Sequence, residues 1–196
     1  CIRQKDFSCR DLLELYISRI ERFNPTLNCV VTTNFDDARA QADLADSEVS
    51  VGKTLGPLHG LPITVKDALE TAGIQSTGGA RELLGNIPER DAPVVKAVKD
   101  AGAIVMAKTN LPRWSGDLQT FNDIFGTTNN PWDIDRVPGG SSGGAAAAVA
   151  AGLTAFEIGT DIGGSIRYPS SFCGVFGHKP SFGIVPSRGY LDHEFG

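Results

Sequence analysis

The chain lacks a long apolar segment and has no large excess of either charge. Its longest uninterrupted apolar run is Ala145–Ala151, whereas a membrane-spanning helix needs about 20 such residues. The 18 basic and 23 acidic side chains give a net charge of −5 without a lysine or arginine cluster. This argues against a nucleic-acid surface and an anionic membrane face. The composition, 41% hydrophobic and 21% charged, indicates a globular protein and excludes a disordered chain, a coiled coil and collagen.

Cysteines are few and show no metal-ligand spacing. None belongs to a C-x-x-C pair or stands at a ligand-like spacing from a histidine, so the sequence predicts free buried thiols and no disulfide, metal or cofactor. The four are Cys1, Cys9, Cys29 and Cys173. No basic segment followed by an apolar one opens the chain, and together with the unpaired cysteines this predicts a cytoplasmic protein.

Hydrophobic periodicity predicts alternating helices and strands. We expect Ser8 to cap the first helix, with Asp11 in the capping-box position, and Pro25 to end it. Further helices are predicted over Phe35–Asp46, Ala92–Ala101 and Ser142–Ala151, and strands over Cys29–Thr32, Leu61–Val65, Ala103–Ala107 and Thr154–Ile158. This alternation predicts one α/β layered domain whose central, largely parallel or mixed β-sheet is covered by helices.

Glycine is in excess, and the excess is local. Fourteen of the 23 glycines lie in Gly126–Gly196, where the backbone must turn tightly or approach another group closely. The run Gly139–Gly144 reads Gly-Gly-Ser-Ser-Gly-Gly before a predicted helix, which places two hydroxyls at the positive end of the helix dipole. A phosphate loop is excluded because no Gly-Lys-Ser/Thr follows the glycines.

The same run also matches the nucleophile-elbow pattern of the α/β-hydrolases, with Ser142 as its serine. That motif needs a preceding strand, which is lacking here, and a histidine partner, for which His178 and His193 are the candidates. A plain glycine turn before a helix is the alternative.

Two further stretches carry candidate chemistry. In Gly159–Arg167 a predicted strand ends in a glycine turn, which forms either a nest of backbone N–H groups or a capped polar turn. Lys66 follows an apolar strand, where desolvation would lower its pKa and make it a neutral base. Alternatively it reaches water or pairs with Asp67. Together these stretches supply a base, hydroxyls and an anion-stabilising turn, as acyl transfer through a serine ester requires.

Three motifs, in this order, resemble those of the amidase signature family. Gly60-Leu61-Pro62 with Lys66-Asp67 resembles its lysine motif. The runs Asn130–Asp133 and Val137–Gly144 resemble its Gly/Ser-rich signature, while Gly159–Arg167 with Phe172–Gly174 and Lys179–Ser181 resembles its nucleophile segment. The resemblance covers nearly the whole chain. It implies the amidase signature fold, of which residues 1–196 would form the N-terminal catalytic portion of one domain. The chain begins at Cys1 rather than Met and ends after a loop-like stretch, so we expect a fragment lacking the C-terminal part.

The resemblance also implies a catalytic Ser–cis-Ser–Lys triad. Ser165 would be the nucleophile, Ser141 on a cis peptide would relay protons, and neutral Lys66 would be the ultimate base. The oxyanion hole would consist of the backbone N–H groups of Ile162, Gly163, Gly164 and Ser165. Supporting roles fall to Ser142, Asp161 and Arg167.

The implied reaction is hydrolysis of a carboxamide C–N bond through a seryl acyl-enzyme. Within the family, Thr160-Asp161-Ile162 and Pro186–Gly189 look more like stand-alone amidases, whereas the glutamine-hydrolysing subunit of a tRNA-dependent amidotransferase usually carries Ser-Asp-Thr at the first of these sites. We therefore expect a stand-alone amidase with a small-molecule amide substrate, no nucleic-acid or membrane partner and a possible homodimer. The alternatives are the glutamine-hydrolysing subunit of the amidotransferase, or a catalytically silent anion-binding fragment.

Overall fold

The structure is a computed structural model that describes residues 2–4 and 6–191, so Cys1 and His193 lie outside the described residues. Helices and strands alternate along much of the chain. In chain order they are α1 (Cys9–Leu27), β1 (Val30–Thr33), α2 (Phe35–Ser50), β2 (Pro62–Lys66), α3 (Pro93–Asp100), β3 (Ile104–Thr109), β4 (Phe121–Asn122), β5 (Gly126–Thr127), α4 (Gly143–Ala150), β6 (Glu157–Ile158) and α5 (Arg167–Cys173).

The central sheet is mixed, in the strand order β1-β3-β2-β6. β2 runs parallel to both β3 and β6, while β1 is antiparallel to β3. All residues of β2 and β3 are buried, as expected for apolar strands covered on both faces. One hydrophobic cluster packs α1, α2 and α4 around β1 and β3, and a second packs α3 against β2 and β3. The predicted α/β fold with a mixed sheet covered by helices is confirmed.

Helix α1 has the predicted start but not the predicted end. The hydroxyl of Ser8 accepts from the Asp11 backbone N–H, and the Asp11 carboxylate accepts from the N–H of Ser8. The prediction that Pro25 ends the helix is wrong, because the helix runs on to Leu27. Asn28 ends it instead in the left-handed conformation, and its backbone N–H donates to the Asn24 carbonyl, which is a common way to close a helix.

Other boundaries differ from the predictions at solvent-facing or irregular places. Helix α2 extends one turn beyond Asp46, and β6 keeps only two residues of the predicted Thr154–Ile158 strand. The short helix α5 was not predicted. Among the described residues, no helix has the length and apolarity needed to cross a membrane.

Candidate active site

Lys66 is the last residue of β2 and is completely buried. Its ammonium nitrogen Nζ lies 2.6 Å from Ser141 Oγ and 2.7 Å from Thr160 Oγ1, and it donates to both hydroxyls. It therefore neither reaches water nor pairs with Asp67, the two alternatives that the sequence left open. Asp67 instead lies 3.9 Å from Lys108 Nζ.

The surroundings of Lys66 favour its neutral form. Burial lowers the pKa of Lys66 to about 7, against the opposing fields of the Glu157 and Asp161 carboxylates. A lysine with this pKa is substantially deprotonated near neutral pH, and a neutral amine that contacts a hydroxyl can accept its proton. The strand end thus holds a partly neutral amine in direct contact with Ser141.

Ser141 follows a cis Gly140–Ser141 peptide bond and is fully buried just before α4. Glycine allows the start of α4 to lie against the end of β3. A Cβ atom added to Gly144 would lie 2.5 Å from both the backbone N and O of Asn110, far inside van der Waals contact. The Gly/Ser-rich run therefore brings Ser141 against Lys66 by close backbone packing.

Ser142 links this turn to the Gly159–Arg167 segment. Its backbone N–H donates to the Ser165 carbonyl at 3.1 Å, and its hydroxyl donates to the Thr160 carbonyl at 3.2 Å. These two bonds hold the loop that carries Ser165 beside the loop that carries Ser141. Within the described residues the Ser142 hydroxyl contacts no histidine, so the geometry does not support a nucleophile elbow there.

Asp161 organises the turn that carries Ser165. Its carboxylate accepts from the backbone N–H groups of Gly164 at 2.8 Å and Ile166 at 3.0 Å, and from the Arg167 guanidinium at 2.9 Å. Burial raises the pKa of Asp161, but the hydrogen bonds from Arg167, Ile166 and Gly164 outweigh it, and the pKa lies below its usual range. Asp161 is consequently ionised and holds the loop in a closed turn.

The turn leaves three of the four predicted oxyanion donors available. The Gly164 N–H is occupied by Asp161, whereas the N–H groups of Ile162, Gly163 and Ser165 make no hydrogen bond within the part of the chain that the structure describes. Ser165 is half-buried, and its hydroxyl likewise donates to no other described residue. The Ser165 hydroxyl and these three amides thus keep their hydrogen-bond donors unused within the described residues.

A cleft of about 540 Å³ opens beside this site. It is bordered by Ser142, Glu157, Ile166, Phe176 and His178, and by neither Lys66 nor Ser165. The cleft thus lies next to the Lys66 and Ser165 side chains and does not enclose them. His178 is exposed on its rim.

The sequence profile of the Amidase family matches residues 11–195. The chain belongs to the amidase family. Its mixed sheet and helices accordingly have the architecture of known members. A solved structure titled as an amidase superposes with a TM-score of 0.90 at 38% identity, covering 97% of this chain and 44% of that one.

Other members of the amidase family point to more than one kind of enzyme. A glutamyl-tRNA(Gln) amidotransferase subunit from Heliobacterium modesticaldum is 43% identical over 188 residues, 96% of this chain and 39% of that protein. An inhibitor-bound protein from a vestigial complex, described with the origins of an s-triazine catabolic enzyme, has a TM-score of 0.94 at 35% identity, covering 97% of this chain and 42% of that one. The chain thus spans about two fifths of the length of these relatives.

The comparison overturns the predicted partners. A small-molecule amide as the substrate partner, with no nucleic acid, no membrane and a possible homodimer, was expected from the modest negative charge and the motif variants. The prediction is wrong in excluding nucleic acid and other subunits as partners, because this relative is named as one subunit of an enzyme for glutamyl-tRNA(Gln). A net charge summed over the chain does not describe a local binding surface or a contact made by another subunit.

Sequence reasoning missed two residues that surround Lys66. Thr160 is the second hydroxyl on its Nζ, whereas the loop motif alone gave it no individual role. Glu157 is coupled electrostatically to Lys66, yet it lies in a segment whose apolar neighbours predicted only a strand. A carboxylate in an apolar strand is the pattern that would have identified it, because a buried charge needs partners.

Proposed function

We propose that the chain carries the catalytic groups of an amide hydrolase that forms an ester on Ser165. The observation that carries this proposal is the 2.6 Å hydrogen bond from the buried Lys66 amine to Ser141. A desolvated amine beside a serine hydroxyl, with a second serine on the adjoining loop, supplies the base, relay and nucleophile of acyl transfer.

The proposed reaction begins when Ser165 Oγ attacks the amide carbonyl carbon. Its proton passes to Ser141, and the Ser141 proton passes to neutral Lys66. The N–H groups of Ile162, Gly163 and Ser165 then stabilise the oxyanion, a contribution of about 3–4 kcal/mol for one such donor. The proton returns through Ser141 to the leaving nitrogen, the C–N bond breaks, and water hydrolyses the ester by the same proton route.

The supporting residues hold this arrangement. Ser142 joins the two loops, and the Asp161–Arg167 ion pair at 2.9 Å fixes the oxyanion turn. We further propose that residues 1–196 are the N-terminal catalytic portion of one longer amidase domain. The coverage of about two fifths of the relatives supports this, and the remaining chain would complete the acyl and amine pockets.

The substrate best supported is glutamine, hydrolysed for ammonia by this chain as one component of a tRNA-dependent amidotransferase. The support is the 43% identity to the Heliobacterium modesticaldum protein over 96% of this chain. The test is purification of the tagged full-length protein from its own cells, followed by assay of ammonia release from glutamine. Co-purifying protein partners with transfer RNA and ammonia release are expected. Absence of all of these contradicts the glutamine proposal.

A stand-alone amidase is the second candidate. It is favoured by Thr160-Asp161-Ile162, which occupies a place where the glutamine-hydrolysing amidotransferase chain usually has Ser-Asp-Thr, and by the similarity to a solved amidase. Hydrolysis of simple carboxamides by the purified polypeptide alone, faster than hydrolysis of glutamine, would select this candidate.

Labelling distinguishes the serines in either case. An electrophilic fluorophosphonate is incubated with the 196-residue chain and with the full-length polypeptide, and the adduct is mapped by peptide mass. We expect an adduct on Ser165. An adduct on Ser142 would contradict the proposed nucleophile and favour an elbow serine, and a full-length protein with no adduct would favour a silent anion-binding protein.

A further inference from the structure

The hydroxyl of Thr120 lies against the turn that carries Ser141, and the proposed mechanism does not use it. Thr120 directly precedes β4 and is completely buried. Its Oγ1 donates to the Gly139 carbonyl at 2.9 Å. Within the described part of the chain, no other side chain donates to the backbone of the Gly139–Ser141 turn. The Gly139 carbonyl, which belongs to a buried residue, therefore depends on Thr120 for its partner.

The same side chain also packs on the other side of Ser141. A Cβ atom added to Gly143, the first residue of α4, would lie 2.1 Å from Thr120 Oγ1 and 2.9 Å from Thr120 Cβ. Such distances are far inside van der Waals contact, so Thr120 occupies the space that the glycine leaves open. Thr120 thus contacts the backbone both before and after Ser141.

Thr120 is itself fixed to the end of β3. Its carbonyl accepts from the Thr128 backbone N–H at 2.9 Å, and the Thr128 hydroxyl accepts from Asn110 Nδ2 at 3.0 Å. Both partners are completely buried, and Asn110 directly follows β3. Strand β3 pairs with β2, which ends in Lys66. A buried polar network therefore joins the strands that position Lys66 to the Gly139–Ser141 turn, and Thr120 is its contact with that turn.

The proposed relay sets a strict geometric requirement at Ser141. Its hydroxyl must accept the Ser165 proton and donate its own proton to Lys66, whose Nζ lies 2.6 Å away. Proton transfer of this kind requires hydrogen-bond distances, and a displacement of about 1 Å can slow a reaction about 10²-fold. Two glycines precede Ser141 in the turn and have wide conformational freedom. The position of Ser141 consequently depends on contacts from outside the turn.

We propose that Thr120 is a positioning residue that holds Ser141 in the relay geometry. The inference rests on the proposed function. Thr120 neither gains nor loses a proton in the reaction and acts through the backbone on both sides of Ser141. Its hydrogen bond to Gly139 and its packing on Gly143 fix the turn while protons pass through the Ser141 hydroxyl.

The test is Thr120→Val in the full-length polypeptide. The rate of Ser165 labelling by a fluorophosphonate is measured at a pH above the Lys66 ionisation and at a temperature where every variant is folded. Valine has the shape of threonine and keeps the packing on Gly143, but it leaves the buried Gly139 carbonyl without a donor. We expect the labelling rate to fall by about three- to tenfold. Thr120→Ser retains the hydroxyl and should label within about twofold of native.

A double variant shows whether the loss acts through Ser141. Ser141→Ala removes the relay hydroxyl, so adding Thr120→Val to it should change the remaining rate by less than about twofold. A contribution unrelated to the relay would lower the rate by the same factor in both backgrounds. Thr71→Val is the matched control, because it removes a buried hydroxyl that donates to the Leu69 carbonyl at 3.2 Å. This control should label at the native rate.

The outcomes distinguish this inference from the proposed function. A folded Thr120→Val protein that labels at the native rate overturns the positioning role, as does an equal loss in the Ser141→Ala background or a Thr120→Ser protein as slow as Thr120→Val. If Thr120→Val does not fold, Thr120→Ala removes the same hydroxyl and carries the same predictions. A native protein that labels elsewhere than Ser165 overturns the proposed function itself.

Discussion

Lys66 and Lys108 are both completely buried on neighbouring strands of one sheet, yet their surroundings differ. Lys66 is in register with Thr109, and Lys108 is in register with Val65. Paired residues share a face and successive residues alternate, so the two lysines point to opposite sides of the sheet. The same residue type, at the same depth, thus serves two separate regions.

The hydrogen-bond partners explain the difference. Lys108 Nζ donates to the Leu69 carbonyl at 2.5 Å and to the hydroxyls of Thr71 and Ser76, with the Asp67 carboxylate 3.9 Å away. Lys66 has only two hydroxyls in contact among the described residues. A buried amine with three donated bonds and an adjacent carboxylate is a structural anchor, whereas one that touches only hydroxyls can give up and recover a proton.

Replacing each lysine by methionine should separate the two roles most strongly in activity. Lys66→Met removes the proposed base, and the rate of Ser165 labelling is expected to fall by about 10²- to 10⁴-fold, with no loss of thermal stability because methionine fills a similar apolar volume. Lys108→Met is expected to label within about threefold of native at a temperature where it is folded. Equal losses in the two variants would contradict the assignment of different roles.

The free energy of unfolding should change more in Lys108→Met than in Lys66→Met, the reverse of the order in activity. Lys108→Met leaves the Asp67 carboxyl buried without its cation, and the free energy of unfolding is expected to drop by about 3–5 kcal/mol. Burial raises the pKa of Asp67 and Lys108 opposes this, so the variant raises that pKa further. The folded state then binds more protons than the unfolded state, and stability falls as pH rises.

Denaturant unfolding at about pH 5 and about pH 8 checks this prediction. The loss should be larger at the higher pH, and the double change Lys108→Met with Asp67→Asn should recover part of it. A loss that is independent of pH and unaffected by Asp67→Asn would show that the ion pair is not its cause.

A smaller effect is expected at the second hydroxyl on Lys66. Thr160→Val removes one hydrogen bond to Nζ while the 2.6 Å contact with Ser141 remains. A net loss of about 1 kcal/mol corresponds to a roughly fivefold lower labelling rate. Thr160→Ser is the matched control and should restore the native rate. A Thr160→Val protein that labels as fast as native would remove Thr160 from the site.

Much of the fold follows from local patterns in the sequence. The Ser8–Asp11 capping box and the stripe of Leu13, Ile17 and Ile20 predict a helix that buries this apolar face. The structure contains that helix, with the three side chains buried. The end of α1 does not follow, because a proline at position 25 predicts an earlier stop. Asn24 accepts from the backbone N–H groups of Cys29 and Val30, contacts that exist only after the chain has turned.

The position of Lys66 was predictable because an apolar strand must end near it. Its contact with Ser141, 75 positions away along the chain, rested on resemblance, and the structure places the two side chains 2.6 Å apart. The occupied Gly164 amide and the carboxylate of Glu157 could not be predicted, since both depend on how the turn and three strands meet. The catalytic roles of Lys66, Ser141 and Ser165 remain predictions.

The pH dependence of Ser165 labelling tests the central claim most directly. Burial lowers the pKa of Lys66 to about 7, and only the neutral amine accepts the Ser141 proton. The labelling rate of the full-length protein should therefore rise through a single ionisation near pH 7 and then level off, and this ionisation should persist in Lys108→Met and vanish in Lys66→Met. A native midpoint that persists unchanged in Lys66→Met would assign the titration to another group and contradict the account.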